Sequence, residues 1–261
     1  MSAATAIIIP ARRGSTRMPE KMLRADTGRA LVTYAVEAAE RARAESAGAV
    51  REVIVATDDE AIVRIVNEYA ASAGFRARAE MTGLHHQSGT DRIAEVVARL
   101  PADIGIIINI QGDEPDLPAR DILRVGELLS EQPSAMMSTL VRPLVDEASF
   151  TNPNNVKAVR DRDGFCLYFS RAPIPFDRDH AKKADEPFGY LHLGIYGYRR
   201  EALLNYSKLP ASRLEQLEKL EQLRALSAGW KIVAAETAYA GKGIDTEADY
   251  QRFLSERSAQ A

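Results

Sequence analysis

A chain of 261 residues, 46% of them hydrophobic and 27% charged, is long enough to bury one substantial core and carries no compositional mark of disorder. Its net charge of −3 supplies no global field for nucleic acid, so an anionic ligand must be held by locally clustered cations, and the expected partners are small molecules. The single cysteine, Cys166, excludes an internal disulfide, no apolar run reaches membrane-spanning length and nothing near Met1 reads as a signal segment, so a cytoplasmic protein that touches no membrane is expected.

The predicted elements alternate along the chain. Ala6-Ile7-Ile8-Ile9 reads as a strand, and helical periodicity follows over 30–44. Glu52-Val53-Ile54-Val55-Ala56 precedes a helix over 59–71, and the apolar run 104–110 precedes one over 121–129. Three such units predict a parallel sheet, whose ligands gather beyond the carboxyl ends of the strands. The segments found there are Arg12 to Lys21, Thr57-Asp58-Asp59 and Gln111-Gly112-Asp113. From Met136 onward, strand-like runs at 138–141, 156–160, 165–170 and 193–198 predict an antiparallel insertion over 136–200. The periodic segment 215–224 predicts one helix, followed by a strand over 231–235 and a closing helix from Glu247. The expected fold class is α/β: a mostly parallel, doubly wound sheet with the strand-rich insertion as a second lobe, all within a single domain over 1–261. Cys166, inside Gly164-Phe165-Cys166-Leu167-Tyr168-Phe169, reads as a small packed hydrophobe and not as a nucleophile.

The chemistry is concentrated after the strands. Pro10-Ala11-Arg12-Arg13-Gly14-Ser15-Thr16-Arg17-Met18-Pro19-Glu20-Lys21 gathers four cations, two hydroxyls and a glycine. Arginine forks pair phosphate oxygens, lysine supplies a compact charge and glycine admits an anion to the backbone, which is what a triphosphate requires. Neither GxGxxG nor GxxxxGK[ST] is present, so composition by itself leaves a solvated basic loop equally open. Asp113 and Asp245 each follow a predicted strand, and two carboxylates at one crevice suit Mg²⁺, with a turn or helix-cap role as the competing reading. Asp58 and Asp59, running into Glu60, read as a helix start and stay structural.

Beyond these single segments, the loop Arg12-x-x-Ser15-x-Arg17-x-Pro19-x-Lys21 is followed, in order, by His86-Gln87-Ser88-Gly89-Thr90-Asp91-Arg92, Asn109-Ile110-Gln111-Gly112-Asp113-Glu114-Pro115, Asn152-Pro153-Asn154-Asn155-Val156-Lys157, Tyr168-Phe169-Ser170-Arg171, His192-Leu193-Gly194-Ile195-Tyr196-Gly197-Tyr198-Arg199, Leu220-Glu221-Gln222-Leu223-Arg224 and Gly243-Ile244-Asp245-Thr246. Over nearly the whole chain this series resembles the CMP-Kdo synthetase family, the 3-deoxy-manno-octulosonate (Kdo) cytidylyltransferases. The resemblance implies a nucleotide-binding sheet and transfer of a cytidylyl group from CTP to Kdo, giving CMP-Kdo and pyrophosphate for lipopolysaccharide or capsule synthesis. It also implies Mg²⁺ and a homodimer, with 136–200 serving sugar binding and dimerisation. Carried over residue by residue, Arg12, Ser15, Arg17 and Lys21 hold the triphosphate, and His86, Ser88 and Gly89 meet the cytosine, with Thr90 read instead as a helix cap. Gln111, Arg171, His192, Tyr196, Glu221 and Gln222 face the sugar. Asp113 and Asp245 carry the metal, and Lys21, Arg12 and Asp113 form the catalytic set.

Two departures from the family pattern stand out. Ser212-Arg213-Leu214-Glu215 replaces the usual Ser-Pro-Leu-Glu, and Glu20 stands where the family often has glycine. Arg213 keeps open a synthetase for a related acid sugar, such as amino-Kdo or a sialic acid. A catalytically dead nucleotide-binding regulator is disfavoured by the retention of Lys21, Asp113 and Asp245.

Overall fold

The computed structural model describes residues 3–12, 14, 18–86, 88–241 and 243–259. Strand β1 (Ala4–Ala11) leads through a single 3₁₀ turn at Lys21–Leu23 into α1 (Val32–Glu45), then β2 (Val50–Thr57), α2 (Glu60–Ala73) and the short β3 (Arg78–Met81). Next come α3 (Gly89–Arg99), β4 (Ile104–Asn109), α4 (Ala119–Glu131), β5 (Met137–Leu144) and α5 (Glu147–Thr151). The second half contains β6 (Lys157–Arg160), β7 (Cys166–Ser170), β8 (Gly189–Arg199), α6 (Arg200–Tyr206), α7 (Arg213–Glu218), α8 (Gln222–Ser227), β9 (Ile232–Glu236) and α9 (Glu247–Ser258).

The main sheet runs β3-β2-β1-β4-β8-β5-β9. β1 lies at its heart, parallel to both β2 and β4, and is buried along nearly its whole length. A strand covered on both faces needs apolar residues at successive positions, which is why this segment reads as a continuous run and not as an alternation. Ile7 and Ile9 point into a core shared with α1, α2 and α4, whereas Ala6 and Ile8 point into a second core with α3, α6 and α8. Helices on both faces make the sheet doubly wound, as the alternating pattern predicts.

The chain leaves β1 for β2 on one side, while β4 pairs on the other, so the strand order reverses at β1. Such a reversal opens a crevice beyond the carboxyl ends of the two strands. Arg12 and Gln111 emerge there.

The strand-rich stretch 136–200 is bound more closely to the main sheet than a separate lobe would be. β5 and β8 are members of that sheet, with β8 antiparallel to β4 and β5, and β5 parallel to β9. Only the antiparallel hairpin β6–β7 stands off the main path, and it is anchored through β6 to β8. Alternating hydrophobicity reports which residues form strands but not which neighbours they choose, so this attachment is a finding of the structure.

The single helix expected over 215–224 is two short ones. Lys219 takes a left-handed backbone with φ 55° and ends α7, Leu220 turns into the core, and Glu221 opens α8. The α7 start is secured by a capping box in which Ser212 and Glu215 exchange hydrogen bonds, so no proline is needed at that position. Arg213, the first residue of α7, is exposed.

Candidate active site

Two cavities lie side by side at the carboxyl ends of β1 and β4. The first, of about 310 Å³, is lined by Arg12, Lys21, His86, Ser88, Asp113 and Asp245, with Arg92 and Glu221 also on its wall. The second, of about 250 Å³, is lined by Thr90, Asn109, Tyr196, Tyr198, Tyr206 and Gln222, among others. Pro10, Gly89, Gln111 and Glu221 belong to both, so the cavities share a wall.

Lys21 begins the 3₁₀ turn after the basic loop, and its side chain is buried. Its ammonium donates to Asp113 Oδ2 and, at 2.8 Å, to the carbonyl of Ile244, and lies 3.9 Å from Asp245 Oδ1. Segments 92 and 223 residues away in sequence are thus joined through one nitrogen. The backbone reinforces this, since the Ile244 amide donates to the Asp113 carbonyl at 3.0 Å. Glu20, just before Lys21, has φ 53°, in the left-handed region that favours glycine.

Glu114 is a buried carboxyl, and its Oε2 has no hydrogen-bond partner among the described residues. Burial first, then the charges of Asp113 and Asp245, push it up to about 7. Two carboxylates meeting beside a phosphate-sized cavity fit a magnesium ion, which takes one or two carboxylates and leaves its other positions to water and substrate phosphates. Among the described residues no group of three or more His, Cys, Asp or Glu forms a fuller cage.

The far wall of the first cavity belongs to the start of α3. Ser88 is its N-cap: the hydroxyl accepts from the Asp91 amide at 3.1 Å and donates to Asp91 Oδ2 at 3.0 Å. Thr90, expected to cap this helix, instead donates to Glu221 Oε2 at 3.1 Å. The cap falls on Ser88 because that residue still has an extended backbone, whereas Thr90 already lies inside α3. The His86 ring pairs with Glu95. Arg92 is buried, with its guanidinium on Thr82 and, at 2.7 Å, on Asp58.

The family model described as "Cytidylyltransferase" matches residues 6–232. A 3-deoxy-manno-octulosonate cytidylyltransferase from Geobacter sulfurreducens is 43% identical over 254 residues, covering 95% of this chain and 96% of that one. The enzyme of the same name from Idiomarina loihiensis is 44% identical over 253 residues, covering 94% of this chain and 95% of that one. The chain belongs to the 3-deoxy-manno-octulosonate cytidylyltransferase family. Among solved structures, a CMP:2-keto-3-deoxy-manno-octonic acid synthetase complexed with CTP superposes with a TM-score of 0.86 at 37% identity, over 99% of this chain and all of the other. A 4-diphosphocytidyl-2C-methyl-D-erythritol synthase from Anaerococcus prevotii, 10% identical with a TM-score of 0.64, shares the fold.

Within this family member, Arg12, Lys21, His86, Ser88, Gly89, Asp113 and Asp245 come together around the first cavity. Ser15 and Arg17 lie outside the described residues. Of the six residues assigned to the sugar, Tyr196 and Gln222 line the second cavity, and Gln111 and Glu221 line both. Arg171 and His192 line neither. Arg171 donates to the Glu218 carbonyl at 2.7 Å and the Pro153 carbonyl at 3.1 Å, bracing the hairpin against α7. His192 packs between Phe169 and Tyr196, and its buried Nε2 has no partner among the described residues. Burial holds this imidazole down to about 3, so it is neutral and its place is behind the cavity wall.

Arg213 lines neither cavity, which removes the structural basis for reading sugar choice from its charge. Asp59 caps α2, as expected of a structural residue, and burial pushes the Cys166 thiol up to about 12, leaving it inert. The sequence reading missed Arg92 and Glu114. Both lie inside quoted motif strings, and the available signal was a charged residue set directly beside apolar positions of a buried frame.

Proposed function

We propose that this protein transfers the cytidylyl group of CTP to Kdo, forming CMP-Kdo and releasing pyrophosphate. The observation that carries this reading is the pair of adjoining cavities: one lined by cations and two aspartates, the other by hydroxyl-reading groups, with Gln111 and Glu221 on the wall between them. A nucleotide in the first would present its α-phosphorus toward a sugar in the second. The anomeric hydroxyl attacks that phosphorus in line and releases its proton to solvent water as the new P–O bond forms, the bond to the bridging oxygen of the β-phosphate breaks, and pyrophosphate departs toward Lys21 and Arg12. Lys21 neutralises charge developing on the phosphoryl oxygens, while Arg12 holds the triphosphate.

Asp113 and Asp245 are the residues that would hold Mg²⁺. When bound there, the ion supplies Lewis-acid stabilisation of the phosphoryl oxygens and lowers the pKa of a coordinated hydroxyl. Ser88 and Gly89 offer small polar and backbone groups to the base, and Gln111, Tyr196, Glu221 and Gln222 read sugar hydroxyls.

Assembly as a homodimer through the 136–200 stretch is part of the same proposal. Support comes from four exposed large hydrophobic residues there: Met136, Val145, Leu167 and Phe176. Light scattering on the purified protein measures the mass directly, and a monomer would remove the dimer. The test of function is pyrophosphate release from CTP with a panel of acid sugars and Mg²⁺. Turnover with Kdo is expected to exceed that with amino-Kdo or a sialic acid, and preference for another acid would overturn the substrate while leaving cytidylyl transfer in place.

A further inference from the structure

Glu221 is delivered to the shared wall by a costly local device. The left-handed turn at Lys219 breaks a segment whose periodicity otherwise continues as one helix, and the next residues drop Leu220 into the core and bring Glu221 to the cavities. Its backbone carbonyl accepts from the Tyr206 hydroxyl. The carboxylate itself accepts from Thr90 Oγ1 at 3.1 Å, across 131 residues of sequence. Thr90 is buried in the first turn of α3 and is spared capping duty by Ser88, so its hydroxyl proton goes to Glu221, with the Tyr198 phenol also in hydrogen-bond contact with that hydroxyl.

We propose that Thr90 is a positioning residue for the acceptor sugar, its hydroxyl holding the Glu221 carboxylate in the one orientation from which it accepts hydrogen bonds from sugar hydroxyls. The need follows from charge. The acceptor is itself a carboxylate, and a second carboxylate free to swing through the wall would repel it; pinned to Thr90, Glu221 meets only the hydroxylated part of the substrate. The same tether joins the helix start that lines the nucleotide cavity to the residue that lines the sugar cavity. Burial raises the Glu221 carboxyl, and the Thr90 hydrogen bond and Arg224 oppose that rise. Asp91 and Glu215 add to it, the phenols of Tyr196, Tyr198 and Tyr206 also face it, and the charged Arg92 and Lys219 line the cavities it borders.

This inference rests on Glu221 serving the sugar, so the experiment pairs Thr90→Val with Thr90→Ser, Glu221→Gln and the double variant Thr90→Val/Glu221→Gln. Circular dichroism checks folding. Thr90→Val is expected to lower kcat/KM for Kdo roughly tenfold or more, with KM for CTP little changed, because a hydrogen bond to a charged group is lost. Its acidic limb for the sugar is expected to move to higher pH, because the group lowering the carboxyl is gone, and Thr90→Ser is expected to retain wild-type behaviour. The double variant should be no worse than Glu221→Gln. Additive losses in the double variant, a Thr90→Ser as impaired as Thr90→Val, or a defect confined to CTP would each overturn the positioning role. Wild-type sugar kinetics in Glu221→Gln would instead sink the assignment of Glu221 to the sugar.

Discussion

Lys157 is fully buried on β6, yet every donor of its ammonium is used: it reaches the carbonyls of Asn152 at 2.9 Å, Asn155 at 2.6 Å and Arg171 at 2.6 Å. It therefore clamps the loop before β6 to the residue that follows β7. Lys157→Met keeps most of the side-chain volume but leaves three carbonyls facing a thioether. Hydrogen bonds from a charged donor contribute about 1.5–3 kcal/mol each, so the gross loss is several kcal/mol. Two terms reduce it: the ammonium no longer suffers burial, and the exposed 152–154 loop lets water reach part of what is lost. A net destabilisation of about 3 kcal/mol is expected, which for a chain of this size lowers Tm by roughly 10 °C. Urea and thermal unfolding of the purified variant measure it. A loss below about 1 kcal/mol would show that the three contacts merely replace equally good hydration and that the clamp is not what fixes the hairpin.

Asp113→Asn and Asp245→Asn are each expected to stay folded and to reduce turnover by orders of magnitude at limiting Mg²⁺, since an amide does not replace a charged oxygen ligand; near-normal activity in either removes that residue from the metal site. Lys21→Ala is expected to lower kcat more than CTP affinity, and Arg12→Ala to impair both; a pure affinity loss for Lys21→Ala, seen by CTP titration beside steady-state kinetics, would reassign the lysine to ground-state binding. His192, held near 3 in the folded protein against about 6.5 unfolded, takes up a proton only on unfolding, so the stability it leaves intact above pH 6.5 is lost as pH falls from there toward 3. Between pH 8 and pH 5 that loss is about 2 kcal/mol, and His192→Leu should become more stable relative to wild type by that amount; parallel stability–pH curves for the two proteins would refute it.

What could be read from the sequence was the chemistry tied to strand ends. Arg12, Lys21 and Asp113 follow apolar runs directly, and a parallel sheet places whatever follows its strands at one rim, so residue type and position together predicted their meeting. The residues that escaped depend on distant partners or on local backbone choices. Arg92 is buried because Thr82 and Asp58, 10 and 34 residues earlier, accept from its guanidinium. Lys157 sits in a strand pattern where a lysine reads as solvent-facing, and it goes inward because three carbonyls converge on it. The break at Lys219 has no signal in propensity, since lysine is a good helix former and the apolar period continues through it.

That break shows how the two kinds of information divide. Leu214, Leu217, Leu220 and Leu223 share one apolar spacing, yet Leu220 and Leu223 are buried while Leu214 and Leu217 are exposed. A continuous helix, however, would fix Glu221 at 100° from Leu220 around one axis, which is geometry set by the helix and not by the cavity. Resetting the backbone at Lys219 frees Glu221 to meet Thr90 while Leu220 still packs. A left-handed lysine is locally unfavourable by about 1 kcal/mol, and it is tolerated where the tertiary contacts of its neighbours outweigh that strain. Local sequence preference is overruled here at the wall between the two cavities, and for that reason the residues lining them were legible while the means of holding them in place were not.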